Sequence, residues 1–226
     1  MVGKRSYDDG CAVAHGLDLL GERWALLVVR ELLLGPKRFT DLRSGLPGVS
    51  ADVLTQRLRE LQESGVVQRR RLAPPAGSWV YELTDWGAEL EPILIQLGRW
   101  SSRSPALRRD AAIGADSLML SLRALFAPRA AEGFNATIAL RLDDSNYRVR
   151  IADGHLELSR GDTDHADAIL TTSPDTLTAL LWNHRDLTDA VRADDLTLDG
   201  DTDTARRFFD LFPLPEPATV THQAAR

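Results

Sequence analysis

The stretch from Val49 to Leu61 constrains this chain more than any other. Ser50 is a residue type that caps helix N-termini, and Leu54, Leu58 and Leu61 follow it at the spacing of one helical stripe. Asp52, Thr55, Gln56 and Arg59 share the other face at i, i+3, i+4 and i+7, so a helix seated on its leucines presents four hydrogen-bonding side chains together. Side chains of these kinds read base edges in a major groove. After Gly65 the period changes: 66–72 and 78–83 are short and β-prone, and Ala73-Pro-Pro-Ala-Gly77 between them predicts a hairpin with an irregular tip. A solvated amphipathic helix is the commoner meaning of any one such stripe. A polar-faced helix followed directly by an arginine-rich hairpin is more specific.

The upstream pattern completes an order. Residues 11–20 and 23–34 read as two helices separated by Gly21, with Gly35-Pro36 ending the second. Residues 40–44 suit a short helix, Gly45-Leu-Pro-Gly48 is a turn, and from Thr84 a further helix runs to about 101. Helix, turn, polar helix and hairpin in this sequence are the order of a winged helix-turn-helix. Such a module needs phosphate donors at the ends of its reading helix and a wing beside it. The candidates are Lys37, Arg38, Ser50, Asp52, Thr55, Gln56, Arg59, Arg69 and Arg71. Strand alternation points Arg70 opposite to Arg69 and Arg71, so at least one of the three is expected to pair with an acid or cover core.

A net charge of -6 does not exclude double-stranded DNA, because it is unevenly spread: residues 1–107 hold 14 basic against 13 acidic side chains, and 108–226 hold 13 against 20. Local basic clusters, not domain totals, meet phosphates. The polar run around Pro105 is the expected boundary, giving domains 1–104 and 105–226. Beyond it, 117–126 reads as a helix and 135–142, 147–151, 156–159 and 168–171 as strands. A capped helix over 176–182, an edge strand over 196–200, a helix over 204–212 and a mobile tail from Pro213 follow. The whole is a two-domain chain, mainly α and then α+β. No signal peptide or apolar run long enough for a membrane span is present, which predicts a cytoplasmic protein.

Seven motifs carry a resemblance. Cys11-Ala-Val-Ala, Leu19-Leu-Gly-Glu-Arg-Trp24, Arg30-Glu-Leu, Gly35-Pro-Lys-Arg-Phe-Thr-Asp-Leu42, Leu46-Pro-Gly-Val-Ser50, Leu54-Thr-Gln-Arg-Leu-Arg-Glu-Leu61 and Tyr81-Glu-Leu-Thr-Asp-Trp-Gly87 resemble the HxlR family of bacterial transcription regulators in order and spacing. The resemblance implies a winged-helix homodimer on a pseudo-palindromic operator, its first and last helices forming much of the interface. Leu90, Ile93, Leu97 and Trp100 would then meet a second copy.

Cys11, the single cysteine, admits two readings. At a helix N-terminus the dipole stabilises a thiolate, and some HxlR-like regulators sense oxidants with the corresponding cysteine. A small buried apolar residue beside Trp24 is the commoner role and the preferred expectation.

Asp167-Ala-Ile-Leu-Thr-Thr-Ser-Pro-Asp-Thr-Leu-Thr-Ala-Leu-Leu181, Leu196-Thr-Leu-Asp-Gly-Asp201 and Phe208-Phe-Asp-Leu-Phe212 resemble a sterol-carrier-protein-like domain over about 117–214. The resemblance implies an apolar tunnel for a lipid or other small apolar molecule. Phe134, Ile138, Leu140, Leu181, Trp182, Phe208 and Phe212 are its candidate lining, and would serve equally as a closed core. The five histidines show no zinc-protease spacing, and nucleophile-elbow and phosphate-loop motifs are absent, so neither catalysis, a cofactor nor a metal is expected. The competing expectation is a small-molecule carrier whose winged helix only dimerises.

Overall fold

The computed structural model describes residues 6–219. Its backbone contacts divide the chain between Leu94 and Ile95. The division falls inside a helix, ahead of the polar run expected to separate the domains. From Ile95 onward the chain already packs with the second unit: Arg99 Nε donates to Ala124 O at 2.8 Å.

The first unit runs α1 (Ala12–Leu20), α2 (Ala25–Leu32), α3 (Phe39–Gly45), α4 (Ala51–Glu63), β1 (Val67–Arg71), β2 (Trp79–Leu83), α5 (Asp85–Ala88) and the start of α6 (Glu91–Ser101). Val28, Val29, Leu42, Leu54, Leu58 and Leu61 form the core, every one of them almost fully buried. The leucine stripe of α4 is therefore spent inward, as its spacing predicts, and the polar face is left outward. β1 and β2 pair antiparallel with Val67 opposite Leu83 and Arg71 opposite Trp79. A bridge between Lys37 and Tyr81 adds a third short strand contact.

Two local features depart from expectation. The helix expected from Thr84 to about 101 is two helices, because Pro92 has no N–H to offer and suits only a first turn, so α6 starts afresh around it. Trp24, at the N-cap of α2, adopts a left-handed backbone with φ 78°, a conformation that L residues with large side chains seldom take.

The second unit holds α7 (Ala115–Leu125), β3 (Ala136–Leu142), β4 (Ser145–Ala152), β5 (His155–Arg160), β6 (Ala168–Thr172), α8 (Pro174–Trp182), α9 (Leu187–Arg192), β7 (Leu196–Gly200) and α10 (Thr202–Phe209). The sheet order is β5-β4-β3-β6-β7, with β3 and β6 parallel and the other neighbours antiparallel. Alternation sends Ile138, Leu140, Val149, Ile151 and Leu170 to the buried face, while Arg141, Arg148 and Arg150 lie exposed on the other. β7 is an edge strand, as expected. α9 was not anticipated, although Asp186 caps it by accepting from Thr188 N at 2.7 Å and Asp189 N at 3.2 Å.

The expected mobile tail is partly held: Ala218 N donates to Arg103 O at 2.7 Å. Residues 220–226 of that tail lie outside the described residues.

Candidate nucleic-acid interface

α4 is launched by Ser50, whose Oγ accepts from Val53 N at 3.3 Å. This satisfies one of the amides a helix start leaves open. Along the outward face Asp52, Thr55 and Arg59 are exposed and Gln56 is half-buried. Thr55 Oγ1 is turned back onto Ala51 O at 2.8 Å. Arg59 Nη2 donates to Gln56 Oε1 at 2.8 Å, and Gln56 Nε2 in turn donates to Glu60 Oε1. Three of the four expected reading side chains thus occupy bonds within their own helix, and base contact would exchange those bonds for new ones. Asp52 caps no one and stands in the first turn, where the helix dipole favours a carboxylate.

Lys37 is corrected. Expected as a phosphate contact, it is buried, 7% exposed, and its ammonium pairs with the carboxylate of Glu31, itself 2% exposed. Arg30 donates to the other carboxylate oxygen at 2.8 Å and Gly45 leaves the space that Glu31 occupies: a Cβ there would overlap the carboxylate. This buried cluster ties α2 to the end of α3, so Lys37 positions the helix-turn-helix from inside. Arg38 beside it is exposed, and its backbone N–H donates to Asp41 Oδ2 at 3.2 Å.

On the wing, the three arginines part as alternation requires. Arg70 pairs with Glu82 at 2.6 Å, while Arg69 and Arg71 lie exposed on the opposite face. Arg71 Nε donates to Gly77 O at 2.9 Å, and Arg69 lies over the Trp79 ring, 4.5 Å from its centroid. Trp79 is the residue that sequence reasoning missed. Counting the hairpin register outward from the tip would have found it.

Cys11 is also corrected. It is exposed at the N-cap of α1 instead of buried beside Trp24. Backbone amides of Ala14 and then Val13 hold its thiol below the ordinary cysteine range. Of the four expected interface residues, Leu90 packs partly on its own unit's core. Ile93, Leu97 and Trp100 stand exposed at 58%, 43% and 73%. α1 buries no residue and leaves Val13 and Leu17 exposed as well.

In the second unit, Ile138, Leu140, Phe208 and Phe212 are fully buried and Phe134 nearly so, with Leu181 and Trp182 half-buried. The Phe208 and Phe212 rings lie 5.1 Å apart and Phe126 meets Phe212 at 6.0 Å. Trp182 Nε1 donates to Phe212 O at 2.9 Å. Of the residues expected to line a pocket, Phe208, Phe212 and Trp182 contact one another, and Phe134 lies under the Arg207 guanidinium. A separate polar knot lies inside the same unit. Asp116, 6% exposed, accepts from Tyr147 Oη at 2.6 Å and pairs with Arg160. Burial first, and Asp116 second, push the Tyr147 phenol well above its ordinary range. Among the described residues no cluster of three or more His, Cys, Asp or Glu is arranged to hold a metal, and no helix is long and apolar enough to cross a membrane.

Comparison with known proteins separates the two units again. Residues 19–107 match the family model of the HxlR-like helix-turn-helix. Residues 120–218 match that of the alkyl sulfatase C-terminal region, where a sterol-carrier-like domain was expected. The HTH-type transcriptional regulator YvaP of Bacillus subtilis (strain 168) is 40% identical over 86 residues, which are 38% of this chain and 80% of the relative. The regulator YodB of the same organism is 33% identical over 85 residues, 38% of this chain and 76% of YodB. Among solved structures, a double mutant of the sec-alkyl sulfatase PisA1 aligns at a TM-score of 0.41 and 23% identity, covering 45% of this chain and only 16% of that one.

Proposed function

This chain belongs to the HxlR-like helix-turn-helix family of HTH-type transcriptional regulators, and from that membership we propose that it is a cytoplasmic, homodimeric regulator of transcription whose α4 reads double-stranded DNA. The observation that carries the reading is the outward face of α4, capped by Ser50 and flanked by Arg38 and the Arg69/Arg71 face of the wing. Base discrimination is assigned to Thr55, Gln56 and Arg59, and phosphate contact to Arg38, Ser50, Arg69 and Arg71. Ile93, Leu97 and Trp100, with Val13 and Leu17 on α1, are assigned to the contact with a second copy, since exposed apolar rows on two helices are costly unless covered. Two copies would place two reading helices on two half-sites.

The second unit is assigned to control and not to catalysis. A small apolar effector entering it would have to part the Phe126, Phe208 and Phe212 rings and favour one dimer geometry over another, because equal binding to both changes nothing. The exposed, acidified Cys11 supports a second input, a thiol whose modification alters DNA affinity.

The test is selection of duplexes from genomic DNA by the purified chain, then a salt titration on the best one. An enriched inverted repeat, bound with a steep salt dependence and lost in Arg59→Ala, supports the regulator. No preference among duplexes refutes it and leaves the carrier reading. Release by an oxidant that survives Cys11→Ser removes the thiol input.

A further inference from the structure

The hairpin register places Arg69 opposite Tyr81 and Arg71 opposite Trp79, so these four side chains share one face of the wing. On that face the Arg69 guanidinium lies 4.5 Å from the Trp79 ring centroid and 5.8 Å from that of Tyr81. One contact is diagonal and the other directly cross-strand, which fixes the cation from two directions. The acid of the wing is held elsewhere: Glu82, on the opposite face, receives Arg70 at 2.6 Å and Gln68 at 3.0 Å. Among the described residues Arg69 enters no ion pair, and the exposed face of the wing carries cations and aromatic rings without a carboxylate.

Two features need a reason. Trp79 is 51% exposed, so its large ring contributes little to any core. Arg69 is exposed and yet stacked on two rings, although an arginine side chain is among those that lose most freedom when fixed. Stacking occupies only the flat side of a guanidinium. Its five in-plane N–H donors remain available in a rigid fork that matches phosphate oxygens.

We propose that Trp79 is a positioning residue for DNA binding: it holds the Arg69 guanidinium in place to meet a phosphate of the duplex backbone, so that binding does not have to order that side chain. The proposal rests on the DNA-binding reading above and assigns Trp79 no contact with DNA itself. Affinity gained this way comes from the free protein being ready, not from a new contact.

The full chain and its best selected duplex provide the test, with Kd measured across a series of salt concentrations for wild type, Arg69→Ala, Trp79→Ala, Trp79→Phe and the Arg69→Ala/Trp79→Ala pair. Arg69→Ala should flatten the dependence of log Kd on log salt by about 1, the signature of one lost phosphate contact. Trp79→Ala should weaken binding by about two- to fivefold, the strength of an exposed cation–π contact, with the slope unchanged because the charge still arrives. Trp79→Phe should restore most of the loss. The double variant should bind no worse than Arg69→Ala alone. If Trp79→Ala weakens binding equally in both backgrounds, Trp79 acts on its own and the proposal is wrong. Wild-type affinity in Trp79→Ala also overturns it. An unchanged melting temperature in Trp79→Ala separates positioning from loss of the hairpin, and a lowered one matched by the loss in affinity counts against the proposal. A wild-type protein that prefers no duplex defeats the DNA-binding reading before any variant is compared.

Discussion

Lys37→Met removes the ammonium inside the first unit while keeping the reach of the side chain. Glu31, 2% exposed, would retain only Arg30 at 2.8 Å, a partner whose side chain is 26% exposed. Taking one member from a buried ion pair costs about 3–5 kcal/mol, because the remaining charge stays buried without compensation. Arg30 supplies part of that compensation, so the expected loss is about 2–3 kcal/mol. At a urea m-value of about 1–2 kcal/mol per molar, the midpoint falls by about 1–3 M. Hydrogen exchange in urea, read on peptides from α2 and α4, follows this unit apart from the second. The companion variant Glu31→Met/Lys37→Met removes both charges and should return to within about 1 kcal/mol of wild type, since well-packed apolar replacements of buried pairs are often neutral. The reasoning is refuted if Lys37→Met is as stable as wild type, or if the double variant is less stable than the single one.

Three further outcomes follow from the geometry. Gly87→Ala would set a Cβ 2.0 Å from Val66 O, a backbone atom that cannot swing aside; a loss of about 3 kcal/mol, at the upper end for overpacking, is expected in thermal unfolding, and an unchanged melting temperature contradicts it. Alkylation of Cys11 should reach half its limiting rate at a pH below that of an ordinary thiol, and Val13→Pro, which removes one of the stabilising amides, should move that midpoint up; a midpoint that stays in place assigns the depression to something else. Tyr147 keeps its proton in the folded state while an unfolded tyrosine loses it near pH 10, so the unfolded chain binds fewer protons above that pH and the second unit loses stability as alkali rises. Tyr147→Phe should remove that part of the decline, and an identical alkaline profile in the variant refutes the assignment.

How much was legible in the sequence depended on whether the information was local. Ser50 with its leucine stripe, the hairpin over 66–83 and the Ser173 cap of the second unit are all written within a few residues, and they stand in the structure where their spacing puts them. The break between α5 and α6 was local too, signalled by Pro92 and overlooked in favour of a continuous apolar stripe. Lys37 was misread for a different reason. Its partner, Glu31, lies across a turn, and a charged pair that buries itself looks in sequence like two solvated residues. Cys11 was misassigned because α1 buries none of its residues in the unit, which composition alone cannot reveal. Phe208 and Phe212 were foreseen in the interior of the second unit, whereas Phe126 and Tyr147 were not, and rings that line a cavity and rings that fill it have the same spacing.

Within the second unit, early and late segments are fastened to each other. Arg103 O accepts from Ala218 N at 2.7 Å, Arg103 Nε donates to Glu216 O at 3.2 Å, and Ala127 N donates to Leu211 O at 2.9 Å. A fold whose early and late segments lie side by side behaves as a cassette. Gene fusion can then append it to unrelated partners without redesigning its interior. A helix-turn-helix match over 19–107 followed by an alkyl sulfatase C-terminal match over 120–218 is the pattern such portability produces.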